Sequence, residues 1–358
     1  MRSMHLIASQ TLGGAENFYL RLIHALRAPD HETLAVHRRG AMLGPLIETG
    51  VRRHRTSMLG PLDLLGRWHI RHLIRRERPD IVQTYMSRAS GMTHVPRDAG
   101  AVHIARLGGF YKLKYFRHAD HWVGNTHGIC DYLVRNGIPA GRVHFISNFV
   151  DEGRHASAEE RSSTRRALDL PDDALTVMAL GRFTRKKGFD VLLDAFARLP
   201  DTLDGRPLRL LILGDGDLAP ALRRQAGQLG LDARVHWAGW QTETAPFYAQ
   251  ADLFVCPSRH EPLGNVILEA WSHGVAVVST ATDGGTELIQ PDHDGLLAAT
   301  DDAPALAARL REALEHAPAR ARLAAAGRDT LRARHSREAI VRAYNALYRQ
   351  ALSHRRQV

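Results

Sequence analysis

Two glutamates eight residues apart, Glu261 and Glu269, follow an apolar stretch that ends at Cys256 and precede a helical pattern that stops at Gly274. In this pattern Pro262 falls in the first helical turn, which tolerates proline, and the amides of Leu263, Gly264 and Asn265 form a free helix start. Such amides, with the positive end of the helix dipole behind them, suit a phosphate. Carboxylates beside a phosphate would repel it, so Glu261 and Glu269 must address neutral groups, and sugar hydroxyls fit. A second constellation, Gly181-Arg182 with Lys187-Gly188, follows the apolar residues 176–180. Arg182 offers a planar fork and Lys187 a point charge, together enough to neutralise a diphosphate. Gly13 and Gly14, after the first apolar stretch, allow close backbone approach to a ligand. Neither G-x-G-x-x-G nor G-x-x-x-x-G-K-[ST] is present, so a nicotinamide cofactor and an ATPase are not indicated. The bland alternatives are solvated glutamates and a solvated basic loop. Position at the ends of strand-like segments favours a site.

The elements that must hold these residues are short apolar segments alternating with helical stretches. They occur at residues 4–8, 80–84, 101–105, 121–124 and 143–146, and again at 176–180, 208–213, 234–237, 252–256 and 275–279. This alternation predicts an α/β protein of two doubly wound, Rossmann-like domains with parallel sheets. Ligands in such sheets lie beyond the carboxyl ends of strands, where the motifs sit. Residues 151–172 are polar and lack β-branched runs, so the boundary is expected there, between domains at 1–155 and 165–334. Residues 303–352 are rich in Ala, Leu and Arg at helical spacing.

A chain of 358 residues with 44% hydrophobic and 24% charged residues can bury two ordinary cores, and disorder is disfavoured. The two cysteines, Cys130 and Cys256, are too few for a disulfide scaffold and too distant for a local zinc site, so a reducing, cytoplasmic setting is expected. No run approaches the length of a membrane span, and the first ten residues read as a strand, not a leader.

Charge is uneven. Residues 1–155 hold 22 Lys and Arg against 12 Asp and Glu, while residues 156–358 hold 26 of each, so the whole net +10 lies in the first part. An acidic partner is implied: nucleic acid, an anionic membrane surface or a phosphorylated acceptor. The run Arg52-Arg53-His54-Arg55 and the helix-like residues 62–78, with Arg67, Arg71, Arg75 and Arg76 beside Leu65 and Trp68, offer a basic face with an apolar stripe. Such a face suits peripheral docking on anionic lipid; the alternative is a half-buried helix with solvated arginines.

Taken together, these motifs resemble the family 4 retaining glycosyltransferases (glycosyltransferase group 1) of the GT-B fold. The likeness runs over nearly the whole chain: Gly13-Gly14, Asn148-Phe149-Val150-Asp151 at the hinge, Gly181-Arg182, Lys187-Gly188, and Glu261 through Glu269-Ala270. It implies an interdomain cleft in which Arg182 and Lys187 contact the diphosphate of a nucleotide-sugar donor. Glu269 would hold ribose hydroxyls, Glu261 the transferred sugar, and the Gly13-Gly14 loop would close over the phosphates. It also implies that a last helix, about 335–358, packs back on the N-terminal domain. Many members carry a histidine near the reacting carbon; here that stretch places Arg106 instead, and none of His94, His103 or His127 is assigned to it.

The function expected is transfer of a sugar from a nucleotide-diphosphate sugar to a glycan or lipid-linked acceptor in cell-surface polysaccharide or lipopolysaccharide synthesis. Glu261, Arg182 and Lys187 would be the catalytic groups. Gly13, Gly14, Leu263, Gly264, Asn265 and Glu269 would complete the donor site. The nucleotide-sugar is a co-substrate, and no cofactor is expected. Asp215-Gly216-Asp217 has the form of a metal motif, but the cations already neutralise the phosphates, so no metal is expected. An epimerase of the same fold is the alternative. A pyridoxal-phosphate phosphorylase is disfavoured by a chain with only four lysines, at 112, 114, 186 and 187. Nucleic-acid binding is disfavoured because no zinc spacing, aromatic RNA-binding segment or helix-turn-helix pattern accompanies the basic charge.

Overall fold

In a computed structural model, which describes residues 1–355, the chain divides into two compact units. One comprises Met1–Phe149 together with the residues from Ser336 on, the other Val150–His335.

The first unit runs β1 (Arg2–Ile7), α1 (Gly14–Ala25), β2 (Glu32–Arg38), β3 (Arg52–Thr56), α2 (Leu64–Glu77), β4 (Ile81–Tyr85), α3 (Met86–Met92), β5 (Val102–Leu107), β6 (His121–Gly124), α4 (His127–Arg135) and β7 (Val143–Phe145). Its strands pair in parallel in the order β3-β2-β1-β4-β5-β6-β7. Period-two alternation sorts side chains to the two faces: in β1, Met4 and Leu6 enter one apolar cluster while Ile7 enters the other. The second unit runs α5 (Ala158–Ala167), β8 (Leu175–Leu180), α6 (Phe189–Phe196), β9 (Thr202–Leu203), β10 (Arg206–Leu213), α7 (Ala219–Gln228), β11 (Val235–Gly239), α8 (Ala245–Tyr248), β12 (Leu253–Cys256), α9 (Asn265–Ser272), β13 (Ala276–Thr280), α10 (Asp283–Leu288), β14 (Leu296–Ala298), α11 (Ala303–Glu315) and α12 (Ala317–Arg334). Its parallel order is β11-β10-β8-β12-β13-β14, with β9 antiparallel on β10. Here Leu253 and Val255 of β12 face one core and Phe254 and Cys256 the other. Both cysteines are free thiols.

The last helix, α13 (Arg337–Arg355), packs in the first unit, where Ile340, Tyr344, Leu347 and Tyr348 join α1 in one cluster. Of the helix expected over 335–358, residues 356–358 lie outside the described residues. Four strands were not foreseen: β2, β3, β9 and β14. Arg52-Arg53-His54-Arg55, expected as part of a basic face, forms the edge strand of the first sheet, with Arg52, Arg53 and Arg55 exposed. Arg52 is spent on Glu32 and Glu77, at 3.2 and 2.5 Å. An edge strand bonds on one side only, so it tolerates charges that a central strand would exclude.

A chain of polar groups crosses the first sheet. Ser3 Oγ lies 2.8 Å from His31 Nε2 and 2.9 Å from His5 Nε2, and His5 Nδ1 lies 2.9 Å from the Tyr85 hydroxyl. Gln83 donates to Tyr85 at 2.7 Å and accepts from Tyr348 of α13 at 2.7 Å. Burial, aided by His31, lowers the His5 pKa to about 3, and burial with His118 and His94 lowers that of His103 to about 3. An unfolded histidine takes up a proton below about 6.5, which the folded protein refuses. Stability is therefore full above pH 6.5 and declines as pH falls toward 3, by about 2 kcal/mol per buried histidine at pH 5. Urea unfolding at pH 7.5 and pH 5 should show this loss, with a shallower dependence in His103→Gln.

Candidate functional site

β8 and β12 are neighbours in the second sheet although 74 residues separate Lys187 from Glu261. The loops after these parallel strands therefore emerge side by side at the carboxyl edge. Lys187 Nζ pairs with Glu261 Oε2, the two side chains being 20% and 14% exposed. Burial works against the lysine charge, but Glu261, Cys256 and Glu269 outweigh it and raise the Lys187 pKa. Two of the predicted site residues thus meet, and Glu269 acts on the ammonium through its charge alone. Their pairing modifies the expectation that Lys187 serves a phosphate while Glu261 is left for hydroxyls, since here they satisfy each other. A largely buried charge without a partner would be costly, so the pair forms.

The backbone makes this approach possible. Gly188 adopts φ +64° as it caps α6, and a Cβ there would collide with the Pro257 carbonyl. Only glycine supplies both the left-handed turn and the gap. Across it, the amides of Arg259 and His260 donate to the Lys186 carbonyl at 2.8 and 3.2 Å, and the Gly284 amide donates to the Glu261 carbonyl at 2.7 Å. The loop carrying Glu261 is thereby stitched to the loop after β8 on one side and to α10 on the other.

The helix start differs from expectation. α9 begins at Asn265, so Pro262 and Leu263 precede it and Gly264, at φ +89°, is its cap. Leu263 is buried in the core and draws the chain into a turn before the helix can begin. Glu269 lies one turn inside α9, and Arg182 is exposed on the loop after β8. Asp215, whose carboxylate accepts from the Gly216 amide at 2.8 Å, also receives the Phe183 amide on its carbonyl at 2.8 Å.

Arg259 and Asp190 were missed. Arg259 donates twice to the Asp190 carboxylate, at 2.7 Å each, and also to Asp301 at 2.7 Å and the Arg185 carbonyl at 2.9 Å. Its hydrogen bond with Asp190 is the main cause of its raised pKa; in turn Asp190, despite burial, is lowered by Arg259. This bidentate clamp ties the Glu261 loop to α6. Nothing local signals it, because the partners lie 69 residues apart.

In the first unit Gly13 caps α1 and Gly14 opens it. Arg106, expected near a reacting carbon, is only 2% exposed. Its guanidinium bonds Asn148 Oδ1 and the Tyr344 hydroxyl and lies 4.0 Å over the Phe18 ring, so it braces α1, β5 and α13. Of the histidines left unassigned, His103 is buried against Thr84 at 3.0 Å, His94 stacks on His118, and His127 stacks on Phe145.

Residues 12–154 match the Glycosyltransferase Family 4 model and residues 174–316 the Glycosyl transferases group 1 model. A lipopolysaccharide core biosynthesis glycosyltransferase of Rhizobium meliloti, LpsE, is 39% identical over 93% of this chain and 94% of its own length. The chain belongs to the family 4 glycosyltransferases. A second glycosyltransferase of the same organism, LpsD, also described as acting in lipopolysaccharide core biosynthesis, is 31% identical over 99% of this chain and 100% of its own. Among solved structures, Anabaena HepE in complex with UDP and glucose superposes with a TM-score of 0.84 at 20% identity, covering 98% of this chain and 100% of that one. The fold of this glycosyltransferase is therefore GT-B, two Rossmann-like α/β domains with parallel sheets. No helix among the described residues is long and apolar enough to cross a membrane.

Arg259→Ala should free the Glu261 loop without touching the Lys187–Glu261 pair. Steady-state kinetics should then show kcat/KM for the donor falling about tenfold or more, with Arg259→Lys recovering little because it cannot bond bidentately.

Proposed function

We propose that this glycosyltransferase moves a hexose, with retention at the anomeric carbon, from a nucleoside-diphosphate sugar to a lipid-linked or glycan acceptor of the lipopolysaccharide core. The observation that carries the proposal is the Lys187 ammonium paired with Glu261 at the carboxyl edge of the second sheet. The relatives named for lipopolysaccharide core biosynthesis support the acceptor class, and the UDP and glucose bound by HepE support the donor class.

In this reading the donor diphosphate competes with Glu261 for Lys187, and Arg182 and the start of α9 add charge and amide dipoles. The bond from the anomeric carbon to the departing phosphate oxygen breaks while a bond to the acceptor oxygen forms on the same face. The acceptor proton passes to the departing phosphate. Negative charge growing on the diphosphate is met by groups already in place, which is where most of the rate gain arises. Glu261, released from Lys187, takes sugar hydroxyls, and Glu269 those of the ribose. The cations do the work a divalent metal would do, so transfer proceeds without one. The enzyme works on the cytoplasmic side, at the membrane that carries its acceptor.

A panel of UDP-, GDP- and ADP-sugars with isolated core acceptor, read by nucleoside diphosphate release and product NMR, tests the proposal. Donor-dependent release with a retained anomeric configuration is expected, unaffected by chelator. Glu261→Ala and Lys187→Ala should each lose about 100-fold or more in kcat. An inverted product, an epimerised donor, or Glu261→Ala transferring at the native rate would refute it.

A further inference from the structure

Helix α2 has two apolar faces and covers only one. Gly66, Ile70, Leu73 and Ile74 are buried against the first unit. At 100° per residue Trp68 points away from that stripe, and it is 65% exposed. Around the helix start Leu62 is 94% exposed, Leu65 80% and Leu64 73%, and Leu59 of the preceding loop is 64% exposed. Scattered exposed leucines are ordinary; five large apolar side chains left in water within residues 59–68 are not.

Arginines frame this patch. Between α2 and residues 92–97 lies a cavity of about 760 Å³ whose wall includes Leu64, Trp68, Arg67, Arg71, Arg75 and Arg97. Among the described residues no carboxylate pairs with Arg67 or Arg71; Arg67 lies 3.3 Å from His94 Nδ1 instead. Arg75 has an exposed partner, Asp98, at 3.2 Å. Burial first, then the charges of His118, Arg67 and Arg71, lowers the His94 pKa to about 4. The surplus of arginine over acid in residues 1–155 has the same sign.

We propose that this face of α2 docks on an anionic lipid bilayer, with Leu62, Leu64, Leu65 and Trp68 entering the boundary between headgroups and acyl chains while Arg67 and Arg71 take lipid phosphate. The pattern of a basic helix with a separate exposed apolar tip fits a bilayer, which offers hydrocarbon beneath a negative surface. Nucleic acid or an acidic protein would match the arginines and leave the leucines unexplained. The inference deepens the proposed function, since a lipid-linked acceptor resides in such a surface.

The test is flotation of the full chain with vesicles of phosphatidylcholine, with and without phosphatidylglycerol, at low and high salt. UDP binding is measured in parallel. The wild type should float with the anionic vesicles only, and less at high salt. Leu62→Ser/Leu65→Ser/Trp68→Ser and, separately, Arg67→Glu/Arg71→Glu should each weaken flotation about tenfold or more while UDP binding stays native. These side chains lie outside the core, and circular dichroism checks that the variants fold. A wild type that stays with the unbound fraction at low salt overturns the docking proposal, as do variants that float like the wild type. Binding of soluble glycerol phosphate without flotation would instead mark a free-phosphate site and equally overturn it. Flotation without UDP binding would sink the proposed function and leave the docking surface standing.

Discussion

A lysine ammonium held largely out of water must keep a negative partner within reach, and much of the second unit is arranged to supply one. Lys187 finds Glu261 because β8 and β12 are adjacent in the sheet, so the loops that follow them leave the same edge. Removing either partner would strand the other's charge, a loss on the order of 3–5 kcal/mol for a fully buried pair and less for one that water still reaches. The same pairing keeps a cationic and an anionic group together at the carboxyl edge of the second sheet.

The rest of the site serves that contact. Gly188 lets the Lys187 backbone pass the Pro257 carbonyl, and the Arg259–Asp190 clamp holds the Glu261 loop against α6. The first unit uses polar groups differently. There the His5–Tyr85–Gln83–Tyr348 chain and the sequestered Arg106 fasten α13 to the sheet, so its buried polar residues act as structural ties. Arg106 shows why residue type alone misleads. Its position at the end of β5 suggests chemistry, while its contacts with Phe18, Asn148 and Tyr344 assign it to support.

Most strands were legible because their apolar residues alternate or run continuously between glycine-rich turns. The strands that escaped notice are short or charged: β3 reads Arg-Arg-His-Arg-Thr, and β9 has two residues. Helix α2 was half legible. Its apolar and basic residues were evident, but Ile70 and Leu73 face inward while Leu65 and Trp68 face water, a division that periodicity blurred because apolar residues occur on both sides.

The sequence by itself determined what depends on neighbours along the chain: alternating strand and helix, glycines and charges at strand ends, and the concentration of positive charge in residues 1–155. Tertiary structure decided what depends on neighbours in space. It paired Lys187 with Glu261, recruited Arg259 and Asp190, delayed the start of α9 to Asn265 and left the tip of α2 uncovered. The reason is strand order: the chain crosses over before it returns to pair β12 with β8, and local propensity carries no record of which strand it returns to.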